Sequence, residues 1–154
     1  MFWTQLGRLV LTIAVVGALA HFIGEALPRT WFHPKKFPYR AFAWEQNGKF
    51  YQRIGIQRWK DWMPDKSKFV KSTYAKRVGS MRSAEHMLRL VQETCVAEIV
   101  HWVLLFISPI LLWTMESPGS GLCTFVYGIS NLPFIAIQRY NRPRLMALYE
   151  RLKQ

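Results

Sequence analysis

The sequence is poor in the residue types on which many small enzymes and small stable domains depend. It has 2 cysteines and 9 acidic residues, against 21 lysines and arginines, in 154 positions. Two cysteines exclude a disulfide-rich scaffold, and neither has the spacing of a metal-ligand set. The chain also lacks a Gly-x-Ser-x-Gly nucleophile motif, a phosphate-binding glycine loop and a His/Cys zinc set. These absences argue against the common hydrolases, P-loop nucleotide-binding enzymes and zinc enzymes.

Hydrophobicity and positive charge are both high, and they are segregated along the chain. Hydrophobic residues make up 51% of the sequence, and the net charge is +12. Apolar runs occupy about residues 9–27, 96–114 and 122–137, near the roughly 20 residues that a membrane-spanning helix needs. Basic residues lie between and after these runs, so a membrane explains the charge better than nucleic acid does. The sequence therefore predicts an all-α integral membrane protein, with three transmembrane helices and a single membrane domain over residues 1–154.

The distribution of lysine and arginine predicts how this domain is oriented. Residues 28–95 contain fifteen of the 21 basic residues, the tail 138–154 contains five, and the turn 116–121 contains none. The positive-inside rule then places residues 28–95 and the tail in the cytoplasm, with the N-terminus and the turn outside. We therefore predict a multi-pass protein of the cell membrane whose basic segments face the cytoplasm.

Aromatic and basic residues alternate through residues 31–64. Aromatic rings with polar tips favour the lipid headgroup region, and each nearby cation adds about 1 kcal/mol of attraction to anionic lipid. The same interleaving is found on single-strand nucleic-acid surfaces, but three spans in one chain argue against that partner. We expect this segment to lie on an anionic lipid surface, with no nucleic acid bound. Asn47-Gly48 predicts a turn, for which a β-hairpin is one form.

From Met81 onward, apolar and polar residues recur at alternating spacings of four and three, which is typical of one helix face. The positions on this face are Met87, Val91, Thr94, Glu98, His101, Leu105 and Ser108. The pattern predicts that the second span is the end of a longer helix that begins in the cytoplasm. Pro109 is the position where we expect a kink.

Two pairs of ionisable residues lie inside predicted spans. His21 and Glu25 are four residues apart, and Glu98 and His101 are three apart, so the members of each pair share a helix face. A charge within a span costs a few kcal/mol on insertion scales, so such residues usually face a bundle interior, a partner or water. For Glu98 and His101 we favour a functional role, because the predicted topology brings them to the level of the arginines that follow the third span. His21 and Glu25 fit a role in tethering helices equally well.

The third apolar run ends abruptly in a polar cluster. Its members are Gln138, Arg139, Asn141, Arg142 and Arg144. A stop-transfer signal needs only positive charge, which lysine would supply. The presence of arginines beside an asparagine therefore indicates binding of phosphate or stabilisation of an oxyanion. The alternative is that the arginines grip lipid phosphates. Because Pro143 disfavours helical geometry at Arg142, we expect the chain to turn there and fold its arginines back onto the membrane surface.

Three strings of this sequence resemble the glycosyl-4,4'-diaponeurosporenoate acyltransferase family. They are "AEIVHW" at 97–102, "NLPFIAIQRYNRPRL" at 131–145 and "WEQNGKFYQRIGIQRWKDWMP" at 44–64, and they follow the family's order. The resemblance implies transfer of a fatty acyl group to the sugar 6-hydroxyl of a glycosylated C30 carotenoid acid, the last step towards staphyloxanthin-like pigments. Acyl-CoA is then expected as co-substrate, with a membrane-embedded glycosylated lipid as acceptor and with neither a cofactor nor a metal.

The resemblance also singles out candidate site residues. Its three motifs carry onto Glu98 and His101, onto the polar cluster after the third span, and onto a central set made of Trp59, Lys60 and Asp61. We predict that His101 deprotonates the acceptor hydroxyl while Glu98 orients the imidazole, with Asp61 as the alternative base. The arginines or the asparagine of the polar cluster would hold the CoA phosphates or the developing oxyanion.

Two other functions fit the same residues. One is the same acyl transfer to another glycolipid or terpenoid acceptor, since no feature of the sequence indicates specificity for a carotenoid. The other is a non-catalytic membrane adaptor that gathers pathway enzymes through its basic aromatic surface. Three spans also make a thin bundle in which to bury four ionisable residues, so a homodimer or a partner enzyme is left open as a way to cover them.

Overall fold

The computed structural model describes residues 2–63, 84–114 and 119–154. This part of the chain is helical and contains no strand. Its α-helices are α1 (Phe2–Ala26), α2 (Lys49–Arg53), α3 (Ile56–Trp59), α4 (Ala84–Ile107) and α5 (Gly119–Lys153). Shorter 3₁₀ helices cover Arg29–Trp31, Ala43–Gly48, Lys60–Trp62 and Ser108–Thr114.

Three of these helical stretches are long and apolar enough to cross a membrane. They are Trp3–Ala26, Ala84–Thr114 and Gly119–Lys153. The predicted all-α fold class with three candidate transmembrane helices is therefore confirmed, while the predicted orientation stays a prediction. The 35 residues of α5 extend about 52 Å at the α-helical rise. Because a bilayer's hydrocarbon core is about 30 Å thick, a helix of this length that crosses the core also extends well beyond it.

The first compact unit contains Met1–Pro28 and Val96–Ile135. Leu9 and Leu111 form its buried apolar cluster, which joins α1 to the 3₁₀ helix that follows α4. The side chains that pack around this cluster include Leu6, Ile13, Cys123 and Tyr127.

Two glycines allow helices of the first unit to approach closely. A Cβ added at Gly24 of α1 would lie 2.9 Å from Val100 Cγ2 on α4. A Cβ added at Gly128 of α5 would lie 2.9 Å from Ser108 Oγ. Small residues at helix contacts are the usual way in which membrane helices gain close packing.

The second compact unit contains Arg29–Cys95 and Ala136–Gln154. Its apolar cluster joins the short helices α2 and α3 to the C-terminal part of α5. The buried members are Tyr51, Ile56, Ile137 and Tyr140, and Trp59, Met63 and Ala136 pack against them. Residues of α4 and α5 belong to both units, and the predicted single membrane domain over residues 1–154 stays a prediction.

The predicted turn at Asn47-Gly48 is confirmed, but its hairpin form is wrong. Both residues have positive φ, 54° and 93°, in the left-handed region that glycine enters without penalty. The turn forms the end of the 3₁₀ segment Ala43–Gly48, where Gln46 and Asn47 have non-helical φ and ψ, and α2 follows directly at Lys49, so no strand flanks it. Gly48 also lies against α5, because an added Cβ would be 3.5 Å from the backbone oxygen of Tyr140.

The predicted continuous helix before and through the second span is confirmed over the residues described. Helix α4 begins at Ala84 in this part of the chain and passes into a 3₁₀ helix at Ser108. The change of helix type coincides with Pro109, which has no N–H to donate to Leu105 O. The Ser108 hydroxyl donates to that carbonyl instead, at 2.8 Å.

The predicted turn at Arg142 is wrong. Helix α5 continues without interruption through Pro143 to Lys153. A proline inside a helix removes one backbone hydrogen bond and crowds the carbonyl four residues earlier, which costs about 3 kcal/mol. Two side chains just before this proline are held by other segments of the second unit: Arg139 by Glu45 and Arg142 by Thr94. These contacts stabilise a helical path that the local sequence disfavours.

Candidate functional site

His101 on α4 is held by an asparagine on α5. The Nδ1 atom of His101 lies 2.9 Å from Oδ1 of the buried Asn131. The amide nitrogen of Asn131 donates to the backbone oxygens of Tyr127 and Gly128, at 2.9 and 3.5 Å. The amide oxygen therefore faces the imidazole, and Nδ1 carries the proton that forms this hydrogen bond. In the neutral ring, Nε2 then holds the lone pair.

The face of the same imidazole is also fixed by α5. The rings of His101 and Phe134 are stacked, with centroids 4.5 Å apart and planes 6° apart. One nitrogen and one face of the histidine are thus held by residues three positions apart on a single helix. This arrangement leaves a half-buried imidazole whose basic nitrogen is suited to accept a proton from a hydroxyl.

Glu98 lies one turn before His101 and is only 1% exposed. Its Oε1 is 3.4 Å from the indole nitrogen of Trp102, which is long for a hydrogen bond from N–H. The acceptor of the hydrogen bond from Nδ1 of His101 is Oδ1 of Asn131, a residue that sequence reasoning did not assign. The predicted orienting role of Glu98 stays a prediction.

The other predicted pair within a span lies on the surface of α1. His21 and Glu25 are both exposed, whereas Gly24 between them is buried against Val100. The imidazole of His21 is tilted against the ring of Phe22, with centroids 5.5 Å apart. The face of α1 that meets α4 is therefore the one that carries the glycine.

The second unit contains a buried ion pair that sequence reasoning missed. Glu45 accepts hydrogen bonds from Arg139 Nε and Nη2 at 2.5 and 2.9 Å, from Tyr51 Oη at 2.5 Å and from Phe42 N at 2.7 Å. Burial by itself raises the pKa of Glu45, but these hydrogen bonds outweigh it and hold the pKa below the ordinary 4.5. Burial and the contact with Glu45 raise the pKa of Tyr51 above its usual value. The sequence did contain a signal for this ion pair, because Glu45 is the one acidic residue in the basic stretch 29–60.

The guanidinium group of Arg142 is also hydrogen-bonded within the protein. Its Nε and Nη2 donate to Oγ1 and O of Thr94, at 2.9 and 3.0 Å, and its Nη1 donates to Tyr39 O at 2.7 Å. Arg139 reaches two further backbone oxygens, of Pro38 and Arg40, both at 3.2 Å. The planar guanidinium group of arginine has five N–H donors and can bind several acceptors at once, whereas the ammonium group of lysine lacks this fixed geometry. The substrate-binding role predicted for these two arginines stays a prediction.

A groove of about 830 Å³ lies between residues 34–47 and residues 139–150 of α5. Its polar lining consists of five cations and two carboxylates, with Tyr39 and Asn47 beside them. The cations are Lys35, Arg40, Arg139, Arg142 and Arg144, and the carboxylates are Glu45 and Glu150. We refer to this feature as the basic groove. Sequence reasoning singled out its three α5 arginines but not Lys35 or Arg40.

The remaining predicted site residues lie elsewhere in the second unit. Lys60 Nζ is 5.7 Å from the ring centroid of Tyr140, and Trp59 packs against the apolar cluster. Asp61 is exposed in the 3₁₀ helix Lys60–Trp62. Gln138 and Asn141 are half-buried on α5 and, like Asp61, do not line the basic groove. The residues described include no group of three or more His, Cys, Asp or Glu side chains that would hold a metal.

Comparison with known proteins gives one family and a set of relatives. A family model described as glycosyl-4,4'-diaponeurosporenoate acyltransferase matches residues 28–151. A protein of that name from Staphylococcus aureus strain MRSA252 is 29% identical over 134 residues, which cover 86% of this chain and 80% of the relative. The relative from strain N315 is also 29% identical over that length, and the one from bovine strain RF122 is 28% identical. No solved structure matches this chain.

Proposed function

Because the chain belongs to the glycosyl-4,4'-diaponeurosporenoate acyltransferase family, we propose that it transfers a fatty acyl group from acyl-CoA to a sugar hydroxyl of a glycosylated carotenoid. The acceptor is an amphiphile, which suits a chain with three helices able to cross a bilayer. The matched range 28–151 includes the histidine of α4 and the arginines of α5. The products are a sugar ester and free CoA.

The observation that carries the chemistry is the hydrogen bond between His101 and Asn131. With its proton on Nδ1, the neutral imidazole has Nε2 available as general base. Nε2 takes the proton of the acceptor hydroxyl while the hydroxyl oxygen attacks the thioester carbon. A new C–O bond forms, the C–S bond breaks, and the imidazolium returns the proton to the departing thiolate.

Asn131 acts in this proposal as a positioning residue. It keeps the proton on Nδ1 and, with Phe134, keeps the ring plane in one direction. Its amide is itself oriented by two backbone oxygens of α5, so the tautomer is specified by the helix. Glu98 is proposed to stabilise the imidazolium that forms during transfer, because it lies on the same face of α4, one turn earlier. Asp61 remains the alternative base.

The experiment is a product assay with the full-length protein in lipid nanodiscs. A long-chain acyl-CoA is offered with a panel of glycosylated carotenoids, other glycosylated terpenoids and glycolipids, and new ester and free CoA are followed by mass spectrometry. The variants are His101→Gln and Asp61→Asn, and the control is His33→Gln, which alters an exposed histidine of the second unit. General-base catalysis contributes about 10²–10⁴-fold, so we expect a loss of that size in His101→Gln alone.

The possible outcomes distinguish between the candidate bases, between the candidate acceptors, and between acyl transfer and the adaptor function. Ester that persists in His101→Gln but disappears in Asp61→Asn moves the base to Asp61. Ester formed on a glycolipid but on no carotenoid keeps the reaction and changes the acceptor. A folded wild-type protein that forms no ester with any acceptor contradicts acyl transfer from CoA and favours the adaptor function.

A further inference from the structure

The basic groove carries more positive charge than its own carboxylates neutralise. Of its five cations, Arg139 pairs with Glu45 at 2.5 Å and Lys35 pairs with Glu150 at 2.7 Å. These two pairs involve both carboxylates of the groove, so its lining has a surplus of three positive charges. A concave surface with such a surplus concentrates field lines and attracts anions.

The groove combines rigid and accessible arginines. Arg139 and Arg142 are 8% and 4% exposed and are held in place by several hydrogen bonds each. Arg40 and Arg144 are exposed on the same lining, and neither forms an ion pair with any residue that the structure describes. The guanidinium of Arg144 lies 4.0 Å from the ring centroid of Tyr140. This stacking holds the guanidinium plane, so that less side-chain freedom is lost when it binds an anion.

The shape and the remaining lining suit a small organic anion better than a bare ion. A volume of about 830 Å³ lies within the range of roughly 300–1,000 Å³ typical of ligand sites. Pro34, Met146 and Ala147 contribute apolar surface beside the cations. Arginine forks are the usual partners of phosphate groups, because two parallel N–H groups match two phosphate oxygens.

We propose that the basic groove binds a phosphate-bearing ligand, with Arg40 and Arg144 in direct contact with its phosphates. Resting on the proposed function, the ligand is the nucleotide portion of CoA, which carries a diphosphate and a phosphate monoester. The headgroup of an anionic phospholipid offers the same phosphate chemistry and is the other source. Arg139 and Arg142 line the same site and keep its shape, since the Nε of each donates within the protein, to Glu45 and to Thr94.

Binding by the full-length protein tests the proposal without any acyl transfer. One arm measures the affinity for CoA by isothermal titration calorimetry in a neutral detergent. The other arm counts phosphatidylglycerol molecules retained on the protein by native mass spectrometry. The variants are Arg40→Gln and Arg144→Gln. The matched control is Arg58→Gln, which removes an exposed arginine of the same unit outside the groove.

We expect each groove variant to bind CoA about tenfold more weakly, with the control within twofold of wild type. Added salt should weaken wild-type binding more than binding by either groove variant. Loss of phosphatidylglycerol retention with unchanged CoA affinity supports the phosphate site and identifies lipid as its source. If folded groove variants keep both CoA affinity and lipid retention, or if the control loses as much as they do, the proposal is overturned.

Failure of this inference is distinguishable from failure of the proposed function. A wild-type protein that forms ester while its folded groove variants keep both CoA affinity and phosphatidylglycerol retention contradicts the groove assignment alone. A protein that binds CoA through Arg40 and Arg144, yet forms no ester with any acceptor, contradicts acyl transfer alone. The His101→Gln variant should bind CoA like wild type in either case.

Discussion

Arg139 donates from two nitrogens to the two carboxylate oxygens of Glu45, a residue 94 positions earlier in the chain. The side chains are 7% and 2% exposed, so the pair is almost fully removed from solvent. The guanidinium also lies over the ring of Phe42, 4.6 Å from its centroid. This two-point contact fastens the segment around Glu45 to helix α5, and both residues line the basic groove.

We predict that Glu45→Gln destabilises the protein in a pH-dependent way. Removing one partner of a buried ion pair leaves the other charge uncompensated, so the free energy of unfolding should fall by about 3–5 kcal/mol at pH 7. Because the folded-state pKa of Glu45 lies below 4.5, the wild-type advantage is present above pH 4.5 and disappears as the pH falls through the folded-state pKa. Thermal unfolding of both proteins from pH 3 to 7 measures this difference.

The matched control is Glu150→Gln. Glu150 pairs with Lys35 at 2.7 Å, but both side chains are well exposed, at 44% and 71%. Exposed ion pairs contribute little, so this variant should unfold at the wild-type temperature throughout the pH range. Equal destabilisation by the two substitutions, or a Glu45→Gln deficit that persists unchanged at pH 3, would contradict the assigned role of Glu45.

We predict that Asn131 acts on the rate of transfer through His101. Asn131→Leu removes the acceptor at Nδ1, so the ring loses its fixed tautomer and kcat should fall about 10²-fold. The KM for either substrate should change little, because the amide contacts the imidazole and backbone oxygens of its own helix. Steady-state kinetics with the ester product as readout measures both constants.

A conservative substitution of Asn131 distinguishes a role in positioning His101 from a role in packing. Asn131→Asp keeps an oxygen acceptor for the Nδ1 proton and should retain more activity than Asn131→Leu. Ser130→Ala serves as the control, since Ser130 is exposed and its hydroxyl donates to Tyr127 O of its own helix. Equal loss in the aspartate and leucine variants, with both folded, would mean that Asn131 does not act through Nδ1 of His101.

We predict that Gly24→Ala destabilises the first unit. The added methyl group would lie 2.9 Å from Val100 Cγ2 and 3.6 Å from Val96 Cγ1. Valine side chains are stiff in a helix, so the clash must be relieved by moving α1 away from α4. Overpacking of this kind costs about 1–3 kcal/mol, which a fall in the thermal unfolding midpoint measures.

Gly17→Ala is the control for the intrinsic effect of the substitution. An added Cβ at Gly17 meets nothing within 4 Å. Replacing glycine by alanine inside a helix then favours folding by up to about 1 kcal/mol. An unfolding midpoint that rises equally in the two variants would show that α1 does not pack on α4 through Gly24.

The helices that can span a membrane were predictable because their signal is local. The apolar runs 9–27, 96–114 and 122–137 match α1, the end of α4 with its 3₁₀ extension, and the first part of α5. The face that runs along α4 to Ser108 was also predictable, since Val91, Glu98 and other members of it are buried. Length and periodicity suffice for such features because every backbone polar group is satisfied within one segment.

The path of the chain at Pro143 shows where local reasoning fails. The preference of the residue before proline predicted a turn at Arg142, yet α5 continues to Lys153. The contacts that favour the helix join Arg142 to Thr94, 48 positions earlier, and Arg139 to Glu45. No window of neighbouring residues contains both partners of such a contact.

The histidine illustrates the same limit at the candidate site. Spacing on α4 made Glu98 the predicted partner of His101, since both lie on one face. The partner at Nδ1 is Asn131, 30 residues away on α5. Nothing in the motif "AEIVHW" indicates that an asparagine at the start of "NLPFIAI" will face this ring.

Composition and residue order were enough to predict the helical class, the three helices able to cross a membrane, the turn at Asn47-Gly48 and the family resemblance, because each of these depends on features that are local or linear along the chain. The partners of the polar side chains depend instead on how distant segments pack: Asn131 for His101, Glu45 for Arg139 and Thr94 for Arg142. A buried polar group must be hydrogen-bonded, but that requirement does not specify which distant group will satisfy it. The packing of α4 and α5 made that choice within each unit.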